Sequence, residues 1–362
     1  MPELRTDPII GRRVYVAEDR AGRPSDYRKV VGGISDVEFA RQGSALSASE
    51  TPPTEYNLPA APPAYNSPAA HSNCPFCAGN EVHTPVAVAT VSDAHGHWQV
   101  RVVPNKYPAV RVDESVDGAF GAHEVIIESP EHLFDVTQLG LERLAAIVRV
   151  YRDRLRHWAA QPGFRHGLVF KNSGCGAGAS LEHIHSQVTA VPYVLPTVQW
   201  ELDAAERFHA THQQCIFCDL IERELAAKER IVLDRNGYLT ICPIAPRQPY
   251  EMWLLPLKHQ SRFDRLTDGE VESLAAALHE TLRRLQATEP GCPYNLLLHT
   301  APFDADHAAS YHWHWEIVPR LAHEAGLEWG GGVHICPLSP ENAAKKLVHR
   351  DGTTSTTKDR KN

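Results

Sequence analysis

No stretch of this 362-residue sequence holds the ~18 consecutive apolar residues that a membrane-spanning helix requires, and no basic segment followed by an apolar run stands at its amino terminus. The first absence argues against a transmembrane helix and the second against a cleaved export signal, so the expectation is a cytoplasmic protein with no membrane partner. Basic residues are also in the minority: 36 Lys and Arg stand against 44 Asp and Glu, a formal net charge of -8. Nucleic acids and acidic membranes are bound by clustered cations, so this balance sets both aside. What remains is a chain of ordinary globular composition, long enough for two domains of common size.

Cysteine is plentiful and patterned. Of eight cysteines, four form two Cys-x-x-Cys pairs, Cys74/Cys77 and Cys215/Cys218, while Cys175, Cys242, Cys292 and Cys336 are scattered. In a reducing compartment such pairs hold metal or do redox work more often than they form disulfides. Histidines follow each pair in the same order. His132 stands 55 positions after Cys77 and is followed by His183-Ile-His185; His259 stands 41 positions after Cys218 and is followed by His312-Trp-His314. The interval from the single histidine to the His-x-His is nearly equal in the two halves, so the chain reads as one unit written twice.

The intervening segments support the repeat. Leu141, Leu144, Val148, Tyr151, Leu155 and Trp158 recur at helical spacing, as do Val271, Leu274, Leu278, Leu282 and Leu285. Thr267 and Glu270 form a capping box ahead of the second helix. Val125–Ile127 and Met252–Leu255 are short runs of β-formers expected as buried strands. Residues 44–73, rich in Pro, Ala and Ser, are expected as a long loop, and the polar tail over 351–362 as disordered.

Two thiolates on a tight turn and two imidazoles supplied by the fold make a tetrahedral shell that Zn2+ accepts readily, which nominates Cys74, Cys77, His132 and His183. On a strand, His183, His185 and Gln187 share a face, so a metal-held His183 places His185 beside it, ordered and free. A neutral imidazole is a competent nucleophile at pH 7, and a phosphoramidate divides one hard transfer into two easier ones. The Gln187 amide can donate to a phosphate oxygen. Upstream, the glycine-rich stretch Asn172–Ser180 offers backbone amides and the Ser180 hydroxyl to phosphate, although a plain turn accounts for it equally well.

These residues resemble the galactose-1-phosphate uridylyltransferase family of the histidine-triad superfamily, from Glu3 to about Leu347. The likeness runs through Arg5–Pro8, Arg12–Val16, Arg20–Pro24, Cys74–Glu81, Pro104–Pro108, His123–His132 and, most specifically, Gly178–Gln187. It implies an α+β fold of two tandem histidine-triad-like domains, each an antiparallel sheet with packed helices, with a catalytic domain over residues 1–195 and a second domain over 196–350. It further implies a nucleotidyl-histidine on His185, formed from a nucleoside diphosphate sugar and resolved by a sugar 1-phosphate. Phosphate contacts would come from Asn172, Ser180, Gln187, Arg20 and Arg23, and base or ribose contacts from Asn105, Lys106 and Tyr107. Family members commonly form homodimers. The expected activity is UDP-glucose–hexose-1-phosphate uridylyltransferase.

The sequence departs from the best-known members in three places. His183-Ile-His185 replaces a His-Pro-His. The second metal site can be drawn as Cys215, Cys218, His259 and His312 or as Glu201, His299, His312 and His314; thiolates favour the first, for two Zn2+ per chain. The stretch Gly326–Pro337 is more similar to the branch that includes ADP-glucose phosphorylases, which leaves an adenylyl transfer to phosphate or sulfate as the alternative.

Overall fold

The computed structural model describes residues 2–18, 73–113, 119–304 and 307–349. Arg20, Arg23, nearly all of the 44–73 stretch and the 351–362 tail lie outside the described residues. The fold is α+β and the large sheet is antiparallel throughout, as the resemblance implied.

In the first half, strands β3 (Ala89–Ser92), β4 (Trp98–Pro104), β5 (Ala122–Ile127), β6 (His166–Ser173) and β7 (His185–Val191) line up in the order β3-β4-β5-β7-β6. In the second, β8 (Ile231–Arg235), β9 (Tyr238–Ile241), β10 (Met252–Pro256), β11 (Tyr294–His299) and β12 (His314–Pro319) line up as β8-β9-β10-β12-β11. The two orders are equivalent, and β7 and β12 both begin on the second histidine of their His-x-His. The duplication read from the landmarks is therefore a duplication of topology.

The halves do more than sit in tandem. β6 pairs with β11, Ser173 opposite Tyr294 and Phe170 opposite Leu297, so ten strands form one sheet. Pairing these two edges satisfies a row of N–H and C=O groups that each half alone would leave open. A separate three-stranded sheet, β1 (Glu3–Thr6), β2 (Arg13–Val16) and β13 (His334–Cys336), ties the chain's beginning to its end.

Helices α1 (Leu141–Ala159) and α4 (Asp268–Thr288) cover one face of the large sheet and pack on each other. Both follow the expected periodicity, except that Leu141 stays exposed in the first turn. The Thr267–Glu270 capping box forms as expected. Alternation along the strands then sorts side chains: Ile126, Val188, Met252, Leu254 and Trp315 face these helices, while Val125, Ile127, Gln187, Trp253 and Leu255 face the other way.

On that other face the halves differ. In the second half α2 (Pro196–His212) and α3 (Ile216–Ala227) lay Val198, Leu202, Ala205, Phe217 and Ile221 over Leu239, Ile241, Trp253 and Leu255. In the first half a small cluster of Phe76, Val103, Val125 and Ile127 covers only part of the sheet and leaves a hollow beside His185. Short helices α5 (Gly326–Gly331) and α6 (Pro340–His349) complete the chain. Among the described residues no helix is long and apolar enough to cross a membrane.

Candidate functional site

Three segments converge on the first cysteine pair. The knuckle closes with Cys77 N–H on the Cys74 carbonyl, and Ala78 N–H then docks it onto the Pro130 carbonyl, beside His132. Ile184 N–H bonds the Leu133 carbonyl, which draws His183 to the same place. Cys77 Sγ lies 3.3 Å from His132 Nδ1 and 3.6 Å from His183 Nδ1, and Cys74 Sγ lies 3.5 Å from His183 Nδ1. An ion about 2.3 Å from sulfur and about 2.0 Å from nitrogen, with tetrahedral angles, sets such atoms about 3.5 Å apart, so the donor set fits a metal ion. His183 donates Nε2–H to the Ser129 carbonyl at 2.8 Å, which leaves Nδ1 as its ligand nitrogen. Burial, followed by the charge of Cys74, pushes the Cys77 thiol up to about 12, a pairing that a bound cation would relieve.

The second pair is built alike. Cys218 Sγ lies 3.2 Å from His259 Nδ1 and 3.7 Å from His312 Nδ1, and Cys215 completes the quartet. Each ring again donates Nε2–H to a carbonyl, His259 to Ala308 and His312 to Pro256. His312 therefore belongs with the cysteines. Glu201, His299 and His314 gather separately with Glu316, all buried, so the quartet Glu201, His299, His312 and His314 does not form. In this third group His299 Nδ1 meets Glu201 Oε1 at 2.8 Å, and Arg247 holds Glu316 at 2.6 Å. Opposite charges are thus already paired within it, while His314 Nε2 has no hydrogen-bond partner.

His185, the first residue of β7, lies on the wall of a cavity of about 630 Å3. Its Nδ1–H donates to the His183 carbonyl at 2.8 Å, so Nε2 carries the lone pair. Burial holds the ring's pKa below 6.5, the bond to His183 pulls the other way, and the charge of Lys171 lowers it further. The imidazole is therefore neutral at pH 7. Phe76, between the two cysteines, lays its ring edge-on against both His183 and His185, with centroids 5.9 and 5.3 Å away. Gln187, Ser180, Asn105, Lys106 and Tyr107 line the same cavity, together with apolar Val103, Val125 and Leu181. Tyr107 is 83% exposed and so is no core aromatic.

Three expectations are modified. His183 precedes β7, so it reaches the metal donors from a loop end, although Phe76 still meets both rings. The glycine-rich turn does not hold out a row of free amides: Ala177 and Ala179 N–H bond the Gly174 carbonyl and Gly178 N–H the Cys175 carbonyl. Asn172, on β6, is not in the cavity wall; it accepts from Asn295 Nδ2 at 2.8 Å, and Asn295 also bonds the Ala177 carbonyl at 2.9 Å.

Behind His185 lies a network that sequence reading missed. Lys171 Nζ bonds the His185 carbonyl at 2.9 Å and Glu128 Oε2 at 2.6 Å, with Tyr151 and Ser186 donating to Glu128 Oε1. Lys171 is 2% exposed and Glu128 not at all. A lysine inside a strand and a glutamate directly after Val125–Ile127 were the available signals.

The chain resembles known proteins along most of its length. Residues 61–194 match the pattern described as galactose-1-phosphate uridyl transferase, N-terminal domain, and residues 201–327 match its C-terminal domain. The ADP-glucose phosphorylase of Arabidopsis thaliana is 30% identical over 360 residues, covering 96% of this chain and 92% of that protein. The galactose-1-phosphate uridylyltransferase of Thermotoga maritima is 24% identical, over 76% of this chain and 89% of its own. Among solved structures, the Arabidopsis thaliana ADP-glucose phosphorylase with bound ADP-glucose superposes with a TM-score of 0.78 at 28% identity, covering 96% of this chain and 99% of that one.

Proposed function

The chain belongs to the galactose-1-phosphate uridylyltransferase family, whose members here are nucleotidyltransferases, and from that premise we propose that it moves a nucleoside monophosphate through a covalent bond to His185. The observation that carries the proposal is the hydrogen bond from His185 Nδ1 to the His183 carbonyl, which points the chemistry to Nε2 in a cavity wall that also holds Gln187 and Ser180. His185 Nε2 attacks the α-phosphorus of a nucleoside diphosphate sugar. The N–P bond forms as the P–O bond to the sugar phosphate breaks, and hexose 1-phosphate leaves. An acceptor oxygen then attacks the same phosphorus and frees the imidazole. Gln187 and Ser180 donate to the phosphate oxygens, and the apolar wall of Phe76, Val103, Val125 and Leu181 takes the base, with Asn105, Lys106 and Tyr107 at its rim. Zinc at each Cys2His2 set would supply no chemistry of its own beyond fixing the knuckles and the neighbouring His183 carbonyl.

We read the donor as ADP-glucose and the acceptor as inorganic phosphate, with sulfate as its analogue. The near full-length likeness to an ADP-glucose phosphorylase, and the fit to a structure of that enzyme holding ADP-glucose, support this reading. Transfer of uridylate to galactose 1-phosphate is the second reading, supported by both domain matches. Incubation with ADP-glucose or UDP-glucose labelled at the α-phosphorus should give an acid-labile adduct that His185→Ala cannot form. Chasing the adduct with phosphate should release labelled ADP. Release by galactose 1-phosphate alone, from a UDP-glucose adduct, would replace the first reading by the second, and full turnover by His185→Ala would end both.

A further inference from the structure

A glutamine serves as a phosphate donor only if its NH2 faces the phosphate and its oxygen is held elsewhere. An amide turned the other way presents a lone pair to an anion. Gln187 is half-buried, and the question is what decides between its two orientations.

The answer lies on β5. His123 stands opposite Thr189 of β7, and Val125 opposite Gln187, so His123 and Gln187 are diagonal neighbours on one sheet face. Ala109 N–H donates to His123 Nδ1 at 3.1 Å. A ring nitrogen that accepts a backbone N–H carries no proton, so in the neutral ring the proton is on Nε2. Nε2 lies 2.8 Å from Gln187 Oε1 and donates to it. Burial holds the His123 pKa below 6.5, against the pull of the Gln187 bond, which favours this neutral tautomer. Asn105 supplies a second restraint. Its Oδ1 accepts Tyr107 N–H at 2.9 Å, which turns its Nδ2 into the same corner, 3.1 Å from His123 Nε2 and 3.5 Å from the glutamine oxygen; with Nδ1 taken by Ala109 the ring's Nε2 bears the proton and cannot accept, so the amide N–H is given to the oxygen.

We propose that His123 is a positioning residue for nucleotidyl transfer: its Nε2–H fixes the Gln187 amide with the oxygen held on β5 and the NH2 left for the phosphate oxygens of a nucleotide on His185. This inference rests on the functional reading above and assigns a role to a residue outside the nucleophile, the metal donors and the cavity's polar rim. Ala109, Asn105 and Tyr107 hold the restraint from one short segment, so the β4–β5 connection governs the glutamine from two sides.

The test is single-turnover formation of the labelled adduct at saturating ADP-glucose. His123→Leu, which keeps bulk and removes the donor, should slow adduct formation about ten-fold or more, approaching the loss in Gln187→Ala, because a misoriented amide is a lost oxyanion donor. The apparent affinity for ADP-glucose should change far less. His123→Gln, whose side-chain N–H can reach the same oxygen, should recover most of the rate. In a Gln187→Ala background the His123→Leu change should slow the reaction less than two-fold further, since no amide remains to be held. A merely structural role would instead slow the reaction equally in both backgrounds. Equal losses in the two backgrounds, or a His123→Leu protein that labels at the parent rate, overturn the inference and leave the covalent reading standing. A parent protein that forms no adduct on His185 overturns both.

Discussion

Replacing Lys171 by Met tests the buried pair that holds the His185 strand from behind. Lys171 and Glu128 are both removed from water, and the ammonium also holds the His185 carbonyl. Methionine fills a similar volume but leaves Glu128 with only the Tyr151 and Ser186 hydroxyls. Breaking a buried ion pair by removing one partner costs about 3–5 kcal/mol. At about 2.1 cal/mol/K of unfolding entropy per residue, a chain of 362 residues has roughly 0.8 kcal/mol/K, so the melting temperature should fall by about 4–7 °C. The pH dependence gives the sign. In the parent, burial pushes the Glu128 carboxyl up, but the charge and hydrogen bond of Lys171, then Ser186 and Tyr151, hold it below 4.5. That contribution is present above the unfolded value and is lost as the pH falls below 4.5. Without the ammonium, burial prevails, the folded carboxyl titrates above its unfolded value, and the variant gains stability on acidification. The gap between parent and variant, followed by urea denaturation, should therefore be widest near neutrality and narrow toward pH 4.5. Adding Glu128→Gln should restore part of the loss. A Lys171→Met protein within about 1 kcal/mol of the parent near neutral pH would refute the desolvation argument.

Other outcomes follow from single features. Cys218→Ala should release one metal equivalent by elemental analysis while the Cys74 and Cys77 site keeps its own, because the two donor sets share no residue. Thr267→Ala removes the hydroxyl that accepts Glu270 N–H at the start of α4 and should cost about 1 kcal/mol in denaturant unfolding. Gly174 sits at φ 80° and ψ 154°, a conformation close to exclusive to glycine, and an added Cβ would come within 3.1 Å of Pro293. Gly174→Ala should therefore destabilise by about 1–3 kcal/mol, and an unchanged melting temperature would count against the turn as described.

What was legible in the sequence was local or repeated. The periodicity of α1 and α4 survives because each buries one stripe against a sheet, and the capping box of Thr267 needs only four residues to state itself. The knuckles were legible because cysteine and histidine recur at matched spacing, and recurrence is hard to produce by chance. The pairing of β6 with β11 was hidden, since strand partners more than a hundred residues apart leave no local pattern. The third group was obscured for a related reason: His312 and His314 are two residues apart, and alternation alone would put them on one face, yet His312 lies ahead of β12 and turns to the cysteines while His314 opens the strand and meets Glu201, so only the fold says which neighbours each meets. The restraint on Gln187 was hidden too, because a histidine followed by Glu124 and an apolar strand reads as ordinary surface.

The two halves carry equivalent rings in unequal surroundings. Phe217 lies against His314 with centroids 4.9 Å apart and the rings tilted by 35°, where Phe76 meets His185 edge-on, and His314 begins β12 as His185 begins β7. Yet α2 brings Glu201 against His314, which is wholly enclosed, and Tyr311 donates to the same carboxylate. A substrate would have to displace a helix to reach that ring. On the covalent reading proposed above, a chain whose twin histidines invite a count of two should become saturated at a single covalent nucleotide per polypeptide.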